Sequence, residues 1–177
     1  MQSRQNKRFS SQAICKSLHA AGLISKAQAK ELLKKENKVK SILVNQKIKN
    51  IDKRLSKKEQ SDLVSFIEVN EYLKMDRKDT PSKKIDEDLI YKALARSWKI
   101  SYEKIDQLKL ELNLVTGTIS ESFAAKHLLL PLKIEAGKLV VATPDPFNYE
   151  AIKDVEMVSK LKVKTVVSPK FRYRKID

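Results

Sequence analysis

The sequence predicts an α/β (α+β) protein, with a helical N-terminal part followed by a small domain whose three-stranded sheet is packed by helices. In the N-terminal part, apolar residues recur at helical spacing between capping serines. Further along, two short apolar runs flank Glu135-Ala136-Gly137, which is typical of a hairpin turn. A third apolar run follows one helix later. We expect strands at about residues 129–134, 138–143 and 162–167, in an order that the sequence leaves open.

The helix between the second and third strands is predicted over residues 149–159. Its residues Ile152, Val155 and Val158 recur at a spacing of three, which places them on the sheet. Asp145, which lies between two prolines before this helix, is interpreted as its capping residue.

The N-terminal part is predicted to open with a helical hairpin. A helix over residues 9–21 ends at Gly22, where a positive φ is required, and Ser25 caps a second helix over residues 26–37. Residues 38–58 have a looser period that one more helix could satisfy. A capping box at Ser56 and Glu59 opens a further helix that ends near Met75.

Residues 76–84 have no apolar side chain other than Pro81, and they are predicted to form a linker. The domains are therefore 1–75, basic and helical, and 85–177, the small α/β domain. Within the second domain, acidic residues at 86–88 open a helix that reaches Trp98. A short strand is expected within residues 100–108, and two short helices over 111–116 and 120–127.

The positive charge is concentrated in the first third of the chain. The net charge is +15, and residues 1–60 hold 16 Lys and Arg against 4 Asp and Glu. Such a segment attracts nucleic acid, an anionic membrane face or an acidic protein, or it simply forms a solvated surface. A nucleic-acid partner is disfavoured because Phe9 is the only aromatic residue before position 61.

No catalytic site is evident in the sequence. A P-loop motif is absent, and Gly22, Gly117 and Gly137 are too far apart for a dinucleotide-binding loop. Neither histidine belongs to a cluster, and Cys15, the only cysteine, lies among apolar neighbours as a small buried hydrophobe. We therefore expect no catalytic residue, no metal and no cofactor. No apolar run is long enough to span a membrane, and the N-terminus lacks the apolar core of a secretory signal.

A series of short motifs follows in one order along about 80 residues. They are Ala93-Leu94-Ala95, residues 104–110, Leu114-Val115-Thr116, residues 123–127, Leu130-Pro131-Leu132, residues 137–142 and Pro146-Phe147-Asn148, with Ser65-Phe66-Ile67-Glu68-Val69 before them. The series resembles the N-terminal domain of the type II secretion system ATPase, general secretion pathway protein E. The MshE-type N-terminal domain of type IV pilus assembly ATPases is related to it.

This resemblance implies a non-catalytic recruitment and regulatory domain, with the ATPase motor C-terminal to it where the full chain has one. The implied partner is the cytoplasmic domain of an inner-membrane platform protein. The implied location is cytoplasmic and peripheral to the inner membrane, with possible contact to anionic lipid. We expect the partner to meet the basic helical part, and the candidate residues are Lys16, Lys30, Lys34, Lys35, Lys38 and Lys40.

Some relatives in this family bind cyclic di-GMP through a tandem motif, of which Gly22-Leu23-Ile24 matches the middle. The positions of its Arg, Leu and Gly hold Ala13, Ile14 and Cys15, and the position of its Gln holds Glu36. An anionic ligand would lose a charge-assisted partner and gain a repulsive neighbour. Cyclic di-GMP sensing therefore remains an alternative, as does a basic nucleic-acid-binding module.

Overall fold

The structure is a computed structural model that describes residues 7–49, 56, 63–106, 110 and 117–170. It confirms the predicted α+β class: the described residues form six helices and a three-stranded mixed sheet. The chain divides into two compact units, Met1–Leu94 and Ala95–Asp177. The sequence placed a linker at 76–84, whereas this division falls between Leu94 and Ala95, within a helix.

The helices of the first unit are α1, Ser11–Ala20; α2, Lys26–Ile48; α3, Phe66–Leu73; and α4, Glu87–Trp98, which continues into the second unit. Each of the first three begins at a serine whose side chain accepts a hydrogen bond from a backbone N–H of the first turn. Ser25 and Ser65 form complete capping boxes with Gln28 and Glu68. The predicted box at Ser56 and Glu59 lies outside the described residues.

The predicted hairpin of α1 and α2 is present. Gly22 has φ 74°, and the N–H of Leu23 donates to the carbonyl of Leu18 at 3.0 Å, which closes the end of α1. Its apolar stripe, Ile14 and Leu18, is buried.

Helix α2 is longer than predicted. It was expected to end at Asn37, but it runs without interruption to Ile48. Lysines interrupt the apolar period of this part of the sequence, yet Val39 and Val44 are buried, as Leu32 is nearer the start of the helix. Tertiary packing thus extends a helix whose local pattern is weak.

Residues 76–84, the predicted linker, are hydrogen-bonded within the first unit. Asp76 and Lys84 form an antiparallel bridge, and the N–H of Ile85 donates to the carbonyl of Met75 at 2.9 Å. The N–H of Lys78 also donates to the carbonyl of Leu23 at 2.8 Å. Backbone bonds therefore order this polar segment, although it has almost no apolar side chain to bury.

The second unit is built on a sheet in the order β1-β2-β3. Its strands are β1, Leu130–Glu135; β2, Lys138–Thr143; and β3, Lys162–Val167. Strand β2 pairs antiparallel with β1 and parallel with β3. The predicted strands are confirmed to within one residue.

Helices α5, Glu121–His127, and α6, Tyr149–Ser159, cover one face of this sheet. They pack on Leu139 and Val141 of β2, while Val140 and Ala142 point to the other face. The predicted limits of α6 are confirmed, and Ser120 caps α5 as expected. Asn148 caps α6, whereas Asp145 instead accepts from the N–H of Phe147.

The predicted inward face of α6 is wrong at one position. Val155 is 1% exposed and Ile152 packs against the core, but Val158 is 68% exposed. The buried stripe advances by four residues, from Ala151 to Val155, and so rotates away from Val158.

The short strand predicted within residues 100–108 is reduced to one bridge. Tyr102 pairs with Val167, where the N–H of Val167 donates to Ser101 and the N–H of Glu103 donates back. The helix predicted over residues 111–116 lies outside the described residues.

The β1–β2 turn permits a stability test. Ala136 and Gly137 have φ 49° and 72°, the signature of a type I′ turn, which favours Asn-Gly. We expect Ala136→Asn to raise the free energy of unfolding by about 0.5 kcal/mol, because asparagine tolerates this backbone better than alanine. We expect Gly137→Ala to lower it by about 1 kcal/mol through backbone strain alone, since no atom lies within 4 Å of the added Cβ. Urea unfolding followed by the fluorescence of Trp98, the only tryptophan, measures both; equal effects would contradict the turn type.

Two valines of α6 provide a matched test of the packing. Val155→Asp should abolish the cooperative melt of the second unit, because an unpaired carboxylate would enter its core. Val158→Asp, three residues away on the same helix, should change the free energy of unfolding by less than about 0.5 kcal/mol. Similar melts for the two variants would refute the orientation of α6.

Candidate partner-binding surface

Helix α2 is strongly basic, with seven lysines and two glutamates. Both glutamates form i,i+4 ion pairs: Lys35 lies 2.5 Å from Glu31, and Lys40 lies 2.7 Å from Glu36. A third lysine, Lys47, pairs with Glu68 of α3. Both glutamates of α2 are therefore already ion-paired with lysines of the same helix.

The remaining four lysines of α2 form a continuous stripe, which we call the lysine ridge: Lys26, Lys30, Lys34 and Lys38. All four are exposed, and none pairs with an acid among the residues that the structure describes. Successive members lie about 6 Å apart along the helix axis. Each i,i+4 pair of like charges costs about 0.2–0.5 kcal/mol, so the ridge carries unrelieved repulsion.

The six lysines predicted from the sequence fall into separate groups. Lys30, Lys34 and Lys38 belong to the ridge, and Lys16 is exposed on α1. Lys35 and Lys40 are engaged in the ion pairs described above. Lys26, which was not among the predicted residues, also belongs to the ridge, and its spacing of four from Lys30 is visible in the sequence.

A polar contact joins α1 to α2 beside the buried apolar face of the hairpin. The hydroxyl of Ser11 donates to Glu36 Oε1 at 2.5 Å, and the same oxygen accepts from Lys40. The Glu36 side chain is only 13% exposed. This carboxylate is therefore satisfied within the hairpin and has little access to a ligand in solution.

Cys15 is buried beside this contact, as the sequence predicted. Burial, with a smaller contribution from the charge of Glu36, raises the pKa of its thiol to about 11. The thiolate is the nucleophilic form, so this cysteine is unreactive near neutral pH.

Two open clefts, one within each unit, carry mixed charges. The cleft of the first unit has a volume of about 500 Å³, and ion pairs to Asp79 and Asp76 engage its Arg77 and Lys84. The cleft of the second unit has a volume of about 360 Å³ and is lined by Glu103, Lys104, Ile105, Asp106, Leu110, Leu132 and Lys133. Over the described part of the chain, no group of three His, Cys, Asp or Glu could hold a metal ion. The lysine ridge is the better candidate site because its charge is not balanced.

The second unit is similar to a known family of domains. Residues 98–175 match the model of the MshEN domain. MshEN domains are N-terminal domains of ATPases and are not themselves catalytic. The resemblance to the N-terminal domains of type II secretion and type IV pilus ATPases is thereby confirmed.

A solved structure that aligns over most of this chain shares its fold. A structure of MshE with cdg aligns over 89% of this chain and 90% of its own, at 16% identity and a TM-score of 0.52. Two crystal forms of the XpsE N-terminal domain also align. The first alignment covers 45% of this chain and 56% of the XpsE domain, at 22% identity and a TM-score of 0.37. The second covers 91% of this chain and 89% of the XpsE domain, at 14% identity and a TM-score of 0.47. The search of curated proteins finds no match.

In the described ranges, none of the helices has the length and apolar character needed to cross a membrane.

Cys15 offers a pH test of the hairpin core. We expect a thiol reagent at pH 8 to react about 100-fold more slowly with the folded chain than with the chain in urea, because a pKa of about 11 leaves far fewer thiolates than the ordinary 9.0. Between pH 9 and 11 the folded state keeps a proton that the unfolded state has lost. Its free energy of unfolding should therefore fall with rising pH more steeply than that of Cys15→Ala. Equal reaction rates for folded and unfolded chains would contradict the burial.

Proposed function

We propose that this chain is a non-catalytic recruitment and regulatory domain of a type II secretion or type IV pilus ATPase. The MshEN match over residues 98–175 is the observation that carries the proposal. The ATPase motor would lie C-terminal to the MshEN domain in the full protein.

The partner that we propose is the cytoplasmic domain of an inner-membrane platform protein, which would place the chain in the cytoplasm at the inner membrane. The lysine ridge of α2 supports this role, since it presents four exposed cations whose charge the neighbouring acids do not balance. An acidic surface on the platform protein would neutralise them. The MshEN domain acts as scaffold in this proposal, and the first unit makes the contact.

Cyclic di-GMP sensing is the alternative role, and the hairpin argues against it. Cys15 and Glu36 occupy two positions of the ligand motif; the first is buried, and the second already accepts from Ser11 and Lys40. Freeing Glu36 would break both contacts, and its negative charge would still oppose a phosphate. We therefore propose that this hairpin keeps its shape without a dinucleotide.

The docking test uses the full chain and the cytoplasmic domain of its cognate platform protein. We expect a complex in the micromolar range by calorimetry, weakening as salt rises from 50 to 300 mM, because exposed lysines make screened contacts. The cytoplasmic domain of an unrelated membrane protein with similar net charge is the control.

Absence of a complex at 50 mM salt and micromolar concentration would refute the docking proposal. A saturable heat of binding that gives a low-micromolar affinity for cyclic di-GMP would favour the sensing role instead. Tight binding to random-sequence DNA with a steep salt slope would favour a nucleic-acid-binding module.

A further inference from the structure

The lysine ridge has the geometry of a packing ridge. Lys26, Lys30, Lys34 and Lys38 repeat every four residues, so the row extends about 18 Å along α2 and rotates by about 40° per step. Rows of this i±4 type are those that fit the grooves of a second helix. The row lies opposite the buried side of α2, where Leu32 and Val39 pack.

Neutralisation of the ridge requires charges from outside the described part of the first unit. Glu31 is engaged by Lys35, and Glu36 by Lys40 and Ser11. A bound partner would relieve the repulsion within the ridge if it supplied carboxylates at matching intervals.

The side chains around the ridge restrict the class of that partner. Ala27, Asn37 and Ser41 are exposed beside the lysines, and they are small or polar. A membrane-surface helix needs large apolar side chains to insert, and this face has none among the described residues. A nucleic-acid site would be expected to add arginine or aromatic side chains to the lysines. Small neighbours instead allow a second helix to approach closely.

We propose that the lysine ridge recognises an acidic helix of a partner protein, whose carboxylates flank the groove that receives Lys26, Lys30, Lys34 and Lys38. This inference rests on the proposed docking function and specifies its surface. Lys35 and Lys40 are not contact residues, because their ammonium groups are ion-paired with Glu31 and Glu36. The contact is electrostatic and salt-sensitive, and it uses no buried apolar anchor.

Neighbouring lysines provide the matched variants that test it. The first probe is a synthetic helical peptide with glutamates at every fourth position, compared with a peptide of the same composition and scrambled order. With the full chain at 50 mM salt, we expect Lys34→Ala to weaken binding of the ordered peptide about threefold. Lys30→Ala, Lys34→Ala and Lys38→Ala together should weaken it about 30-fold. Lys35→Ala, one residue from Lys34, should change it less than twofold, and circular dichroism should show native helix content in every variant.

Failure of this inference is distinct from failure of the docking function. Equal binding of the ordered and scrambled peptides, or equal losses for Lys34→Ala and Lys35→Ala, would overturn the ridge assignment. If the triple substitution left the affinity for the platform protein unchanged, the ridge assignment would also be wrong, but the docking function would stand. Ridge-dependent binding to phosphatidylglycerol vesicles or to duplex DNA, without binding to the ordered peptide, would overturn it in favour of that partner.

Discussion

In the first unit, the carboxylate of Glu68 links the start of α3 to the end of α2. It accepts from the N–H of Ser65 at 2.8 Å, which caps α3, and from Lys47 Nζ at 2.5 Å, which holds the end of α2. Lys47 also donates to the carbonyl of Leu63 at 2.7 Å. Partial burial alone would raise the pKa of Glu68, but the bonds from Lys47 and Ser65 lower it below its ordinary value and keep the group charged.

The second unit is organised around β2, whose residues from Leu139 onward are buried between its two neighbours and the two apolar faces. The two edge strands of the sheet, β1 and β3, are protected from pairing with another strand. At the outer edge of β3, the carboxylate of Glu156 accepts a hydrogen bond from the N–H of Val163. The N–H of Val167 donates to the carbonyl of Ser101, and the carbonyl of Val167 accepts from the N–H of Glu103. Little of this edge is therefore open. Strand β1 carries Pro131 and a change of register beside it. Such edges resist pairing with another strand, which suits a scaffold better than a strand-binding module.

The sheet could be predicted from the sequence because its signals are local. Glycine at 137 determines the turn, and alternation of side chains determines the strands on either side of it. The full length of α2 and the order within residues 76–84 could not be predicted, since both depend on contacts between distant segments, such as Lys78 with Leu23. The candidate site shows the same contrast. The i,i+4 pairs of Lys35 and Lys40 were readable from spacing, whereas the contact of Ser11 with Glu36 spans 25 residues and only the fold supplies it.

The polar groups between α1 and α2 are satisfied by the chain itself. A dinucleotide site needs polar groups that water satisfies until the ligand displaces it. Here the corresponding interior is closed: the Cys15 thiol packs as a hydrophobe, and Ser11 and Lys40 satisfy Glu36 without a ligand. The Lys40–Glu36 pair belongs to this interior, whereas the Lys35–Glu31 pair is exposed, and together the two pairs engage both glutamates of α2. The surface that we propose for recognition is therefore the outer side of α2, where the lysine ridge has no acidic partner among the described residues.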